Sequence, residues 1–167
     1  MKSEYLKGER SEVPHFLGIN YFRQNNVSFF NKMSIAILNV IFKLKYTGKE
    51  EQNRYGYDKT GGAFIGRFAK SVNPGAEDKD VFQINYRFSS LNNPFPLKYL
   101  IDEIVEVAPG LYLGQLLFAT ERILKPYDPS LPDREYGYEY FGCFLLMDDE
   151  WYTRKIQIGF DITPWEK

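Results

Sequence analysis

The chain has 167 residues, 44% of them hydrophobic and 26% charged, the make-up of one packed domain and not of a disordered segment. Twenty-one Lys and Arg stand against 22 Asp and Glu, so a net charge of −1 leaves no general pull toward nucleic acid or an anionic membrane. A single cysteine, Cys143, and a single histidine, His15, exclude an internal disulfide, a Cys/His metal site and any Ser-His or Cys-His pair not built on His15.

Residues 1–17 read as a polar arm, and residues 18–167 as a single domain. The arm lacks the apolar run of a secretory leader, and residues 33–42, the longest apolar stretch, fall far short of a membrane span, so the chain is expected to be cytoplasmic. Over residues 26–45 the apolar side chains Phe30, Met33, Ile37, Ile41 and Leu44 recur every three or four positions, which predicts a long helix with Gly48 near its stop.

After that helix the period becomes two. Residues 51–57 and 63–70 are expected strands, the second preceded by a Gly61-Gly62 turn. In residues 81–88, Phe82, Ile84, Tyr86 and Phe88 share an apolar face and Gln83, Asn85 and Arg87 the other. Residues 100–107 and 111–119 form a hairpin about Pro109-Gly110, and residues 138–147 and 151–162 read as a second hairpin about Asp148-Asp149-Glu150. Two long connections, 89–99 and 120–137, could be lids, with Tyr127 and Tyr136 as flaps.

The class is mainly β, with seven or eight antiparallel strands. The 138–147 strand is apolar on both faces, which favours a β-barrel with the long N-terminal helix packed on it or capping it. Charged or polar residues in phase with apolar neighbours should then point inward, where they need a partner or a ligand. Glu103 is in phase with Ile101 and Val105, Arg67 with Ile65, Gln115 with Leu113 and Leu117, and Arg154 with Tyr152, Ile156 and Ile158. Cys143, inside an apolar strand, is expected to act as a small buried hydrophobe, and His15 as a surface or docking residue.

The order of several short segments resembles a family of small bacterial proteins of unknown function, which carry a GXWXG-type segment followed by a lipocalin-like half. The residues concerned are Tyr46-Thr47-Gly48-Lys49, the strand ending near Phe88, and Asp102-Glu103 running into Pro109-Gly110-Leu111-Tyr112-Leu113-Gly114. The resemblance implies a calycin-type barrel with one cavity for an apolar or amphipathic molecule.

Two functions from different classes follow. The first is a binding or carrier protein for a hydrophobic small molecule, walled by Phe82, Ile84, Tyr86, Tyr112 and Tyr140, with Arg67, Arg154, Glu103 and Gln115 orienting its polar end. The second is a cofactor-free isomerase or cyclase in the same cavity, with Glu103 as acid or base and Tyr112 and Tyr140 as hydroxyl donors. Neither requires a cofactor or metal, and an unclosed barrel edge would favour a homodimer. A filled core without a cavity would instead mark a structural module.

Overall fold

The computed structural model describes residues 15–22, 36, 39–50, 58–120 and 127–159. Its strands are β1 (Phe16–Phe22), β2 (Lys45–Tyr46), β3 (Lys59–Lys70), β4 (Asp80–Asn85), β5 (Leu100–Ala108), β6 (Leu111–Ala119) and β7 (Tyr138–Met147), followed by the helix α1 (Asp149–Gln157). They form one seven-stranded antiparallel sheet in the order β1-β3-β4-β5-β6-β7, with β2 also pairing β3. From β3 to β7 the chain is an up-and-down meander. Among the described residues β1 and β7 are the two ends of the sheet and do not pair with each other, so closure into a barrel is not seen.

The β5–β6 hairpin turns where its Pro-Gly pair predicts. Gly110 adopts φ +75°, which an L side chain rarely takes, and a Cβ there would also collide with the Asp148 carboxylate. Of the expected long helix, residue 36 and residues 39–41 are described and helical; residues 26–35, 37 and 38 lie outside the described residues. The helix ends before Gly48. Lys43 takes φ +48°, its N–H bonds the Val40 carbonyl at 3.3 Å, and Leu44 N–H bonds the Asn39 carbonyl at 3.0 Å, the paired bonds of a Schellman cap. The expected 51–57 strand also lies outside the described residues.

Four expectations are corrected. The strand expected over 151–162 is a helix in its described part, because residues 149–157 form α1, while residues 160–162 lie outside the described residues. The Asp148 carboxylate accepts the Trp151 N–H at 2.9 Å, Asp149 and Glu150 occupy the first turn, and Arg154 and Lys155 the last, so cap and dipole signals override the period-two pattern. The presumed arm contributes Phe16 and Leu17 to β1, paired with Gly66 and Ile65 of β3. The 81–88 strand stops at Asn85. Finally, β7 is apolar on both faces yet uncovered: as the last strand of the sheet it leaves Tyr140, Phe141, Leu145, Leu146 and Cys143 exposed.

Both faces of the sheet's centre are buried. On one face Ile65, Ile101, Leu117, Ala119 and Tyr138 pack under Val72, Phe88, Tyr127 and Tyr136. On the other, Leu100, Phe64, Ile84 and Phe118 pack with Tyr86, Leu97, Ile41 and Phe42. Tyr127 and Tyr136 are therefore core residues and not flaps, and His15 is buried, not a surface residue.

Candidate functional site

Strand register places four polar side chains in one row across the sheet: Arg67 opposite Gln83, Gln83 opposite Glu103, and Glu103 opposite Gln115. Three of these, Arg67, Glu103 and Gln115, are residues that sequence phase turned inward, and the structure brings them together on the face of Ile65 and Leu117. The fourth expected member, Arg154, is elsewhere. It is exposed on α1 and pairs with Glu150 one turn away at 2.6 Å.

The row is sealed and largely self-satisfied. Glu103, only 2% exposed, accepts from Ser71 Oγ at 2.6 Å, Val72 N–H at 2.6 Å and Gln115 Nε2 at 2.9 Å. Gln115 Oε1 in turn accepts from Asn73 Nδ2 at 3.0 Å. At the other end Arg67 donates to Gln83 Oε1 at 3.2 Å and to the Tyr127 hydroxyl at 3.3 Å, and it forms an ion pair with Asp133. Burial alone would lower the Arg67 pKa, but Asp133 and Tyr127 beside it raise it above the ordinary value. Gln83 Nε2 is buried without a partner.

Next to the row, Arg87 is 3% exposed and enclosed by tyrosines. Its guanidinium carbon lies 4.8, 4.2 and 5.4 Å from the ring centres of Tyr127, Tyr136 and Tyr138, and it donates to the Tyr138 hydroxyl at 2.5 Å. This cage ties the segment from Tyr127 to Tyr138 onto the sheet. Gln83, Asn85 and Arg87, the polar face of the 81–88 alternation, are thus all buried.

The opposite face holds the open space. A groove of about 640 Å³ is lined by Phe68, Phe82, Ile104, Glu106, Tyr112 and Leu146, together with Asp80, Val81 and Val105. Phe68, Phe82 and Ile104 face one another across three strands, with Tyr112 and Leu146 paired one step beyond. On the same face two rings lie over glycines: Phe144 covers Gly114 and Phe82 covers Gly66, positions where a Cβ would stand 2.2 and 2.8 Å from the ring. Acidic Asp80 and Glu106 lie at the groove, and its other lining residues are apolar or aromatic.

Of the expected ligand wall, Phe82 and Tyr112 line this groove, while Ile84 and Tyr86 belong to the core cluster that closes its inner end. Tyr140 is 60% exposed on β7 and reaches neither the groove nor the polar row's partners.

Between the closed end and the groove sits Asp102. It points to the groove side of β5, flanked across the sheet by Ile84 and Leu116 and along the strand by Leu100 and Ile104. It is 8% exposed; Oδ2 accepts from the Tyr86 hydroxyl at 3.2 Å, and Oδ1 is buried and, among the described residues, without a partner. The Tyr86 hydroxyl also accepts from Asn20 Nδ2 at 3.3 Å, so β1, the segment after β4, and β5 meet there. Burial pushes the Asp102 carboxyl up to about 7, against the smaller opposing effect of the Tyr86 bond. Sequence reasoning passed over Asp102, although its alternation with Leu100 and Ile104 was as clear a signal as that of Glu103.

Among the described residues no group of three or more His, Cys, Asp or Glu could hold a metal ion, and no helix is long and apolar enough to cross a membrane. No protein-family model, no curated protein and no solved structure matches the chain.

Proposed function

We propose that this protein binds a hydrophobic small molecule in the groove over Phe82, Ile104, Tyr112 and Leu146. The observation that carries the reading is the groove itself, a mostly apolar concavity of ligand size on a face whose other half is packed core. Removing that much apolar and aromatic surface from water favours an apolar occupant at roughly 25 cal/mol per Å² buried.

The lipocalin-like, calycin-type reading is part of this proposal. The antiparallel meander from β3 to β7 supports it, and so do the apolar side chains exposed at both ends of the sheet, Leu17 and Ile19 on β1 and Leu145 on β7, which barrel closure or a second copy would cover. The rival, a cofactor-free isomerase or cyclase with Glu103 as base, has less support, because that carboxylate is bonded on the far face from the groove.

Thermal-shift screening against a panel of lipids, polyketides and other apolar molecules tests the binding reading. At least one compound should raise the melting temperature of the wild type and lose its effect on Leu146→Glu. Uniformly silent panels, together with empty extracts of protein purified from its native host, would contradict it.

A further inference from the structure

The groove has a chemical polarity that its apolar floor does not explain. Asp102, not itself a lining residue, occupies the groove-facing side of β5, two residues from the lining residue Ile104, a separation of about 7 Å along a strand. Its neighbours on that face, Ile84, Leu116 and Leu100, are hydrophobic, and the Ile104 side is the one that leads into the open groove. Tyr86 satisfies Oδ2. Among the described residues Oδ1 has no donor and no cation pairs with Asp102. A buried acceptor left without a donor carries a standing cost, roughly 1–3 kcal/mol and more if charged, which a ligand that supplies the donor removes.

We propose that Asp102 Oδ1 is the polar anchor of the groove, so that the ligand is an apolar molecule ending in a hydrogen-bond donor, a protonated amine or a hydroxyl, and not a carboxylate. The inference rests on the groove being the binding site. Its apolar body lies over Phe82, Ile104 and Leu146 and its head reaches past Ile104 to the carboxyl. A carboxylate head would meet a second acceptor in a dry setting, with Asp80 and Glu106 adding repulsion from the outer part.

Isothermal titration at pH 8 with octylamine, octanol and octanoate tests this on the wild type, Asp102→Asn, Asp102→Leu and Glu106→Gln. The wild type should prefer octylamine over octanoate by at least about tenfold, the effect of one charge-assisted bond, with octanol between them. Either Asp102 variant should bring the amine and carboxylate within about threefold of each other, whereas Glu106→Gln should keep most of the preference. Equal binding of all three probes to the wild type, abolished by Leu146→Glu, leaves the groove standing and overturns the anchor. A preference that survives both Asp102 variants, or that disappears in Glu106→Gln, also overturns it. Failure of every probe to bind overturns groove and anchor together.

Discussion

The Tyr86 hydroxyl donates to Asp102 Oδ2 across 3.2 Å, and among the described residues this one bond is all the polar support that a nearly buried carboxyl receives. A carboxylate with so little compensation holds its proton to higher pH in the folded state than in the unfolded chain.

Stability should therefore fall with pH through this group. Between about pH 4 and pH 7 the folded protein keeps a proton that the unfolded chain has released, so each step upward favours unfolding; above about 7 both states are ionised and the effect levels off. Asp102→Asn, which carries no charge, should be more stable than the wild type at pH 8 by on the order of 1–3 kcal/mol, and the gap should shrink toward pH 5. Urea unfolding of both proteins at the two pH values measures it, and a gap that widens toward pH 5 would contradict the assignment.

Glu103 plays a structural part, its oxygens filled by Ser71, Val72 and Gln115. Glu103→Ala strands two buried donors, Ser71 Oγ and Val72 N–H, and the half-buried Gln115 amide, and should lower stability by about 2–4 kcal/mol in denaturant melts. Ligand titrations of the folded variant should match the wild type, since the carboxylate is on the face away from the groove.

Arg154 projects from α1 into solvent, paired with Glu150 and 5.6 Å from the centre of the Trp151 ring on the same helix. Arg154→Ala should change stability by no more than about 0.5 kcal/mol and leave binding unaltered. Asp148→Ala removes the cap of that helix and should cost about 1 kcal/mol, together with part of the helical circular dichroism signal.

At the β5–β6 turn Gly110→Ala meets a left-handed backbone and the Asp148 carboxylate at once. A loss of about 1–3 kcal/mol in thermal or chemical unfolding is expected, larger than for Ala at an ordinary turn position.

Much of the sheet was legible in the sequence. The alternation of β3, β5 and β6 and the Pro109-Gly110 turn are visible as residues, and the phase of Arg67, Glu103 and Gln115 put them on the shared face they occupy. What misled was the assumption that a sheet has one wet side. Here both sides are covered at the centre, so Gln83, Asn85 and Arg87 alternate with Phe82, Ile84 and Tyr86 without being exposed, their polarity absorbed by Arg67, Tyr127 and Tyr138. In the 151–162 segment, alternation of Tyr152, Arg154, Ile156 and Ile158 imitated a strand, while the signals that decide a helix lay in Asp148 and in the charges of its first and last turns. β1 was missed because its seven residues, broken by Gly18 and Asn20, alternate too weakly to stand out. The groove arises from pairing between distant strands and from rings lying on Gly66 and Gly114, which no local pattern encodes.

Methyl-resolved NMR, with Ile and Leu side chains labelled and octylamine added stepwise, locates the bound molecule most directly. Saturable shifts should concentrate at Ile104 and Leu146, with Ile65, Ile101 and Leu117 of the opposite face unmoved. Shifts centred on those three, or none at any ligand concentration, would place binding elsewhere or remove it from this sheet altogether.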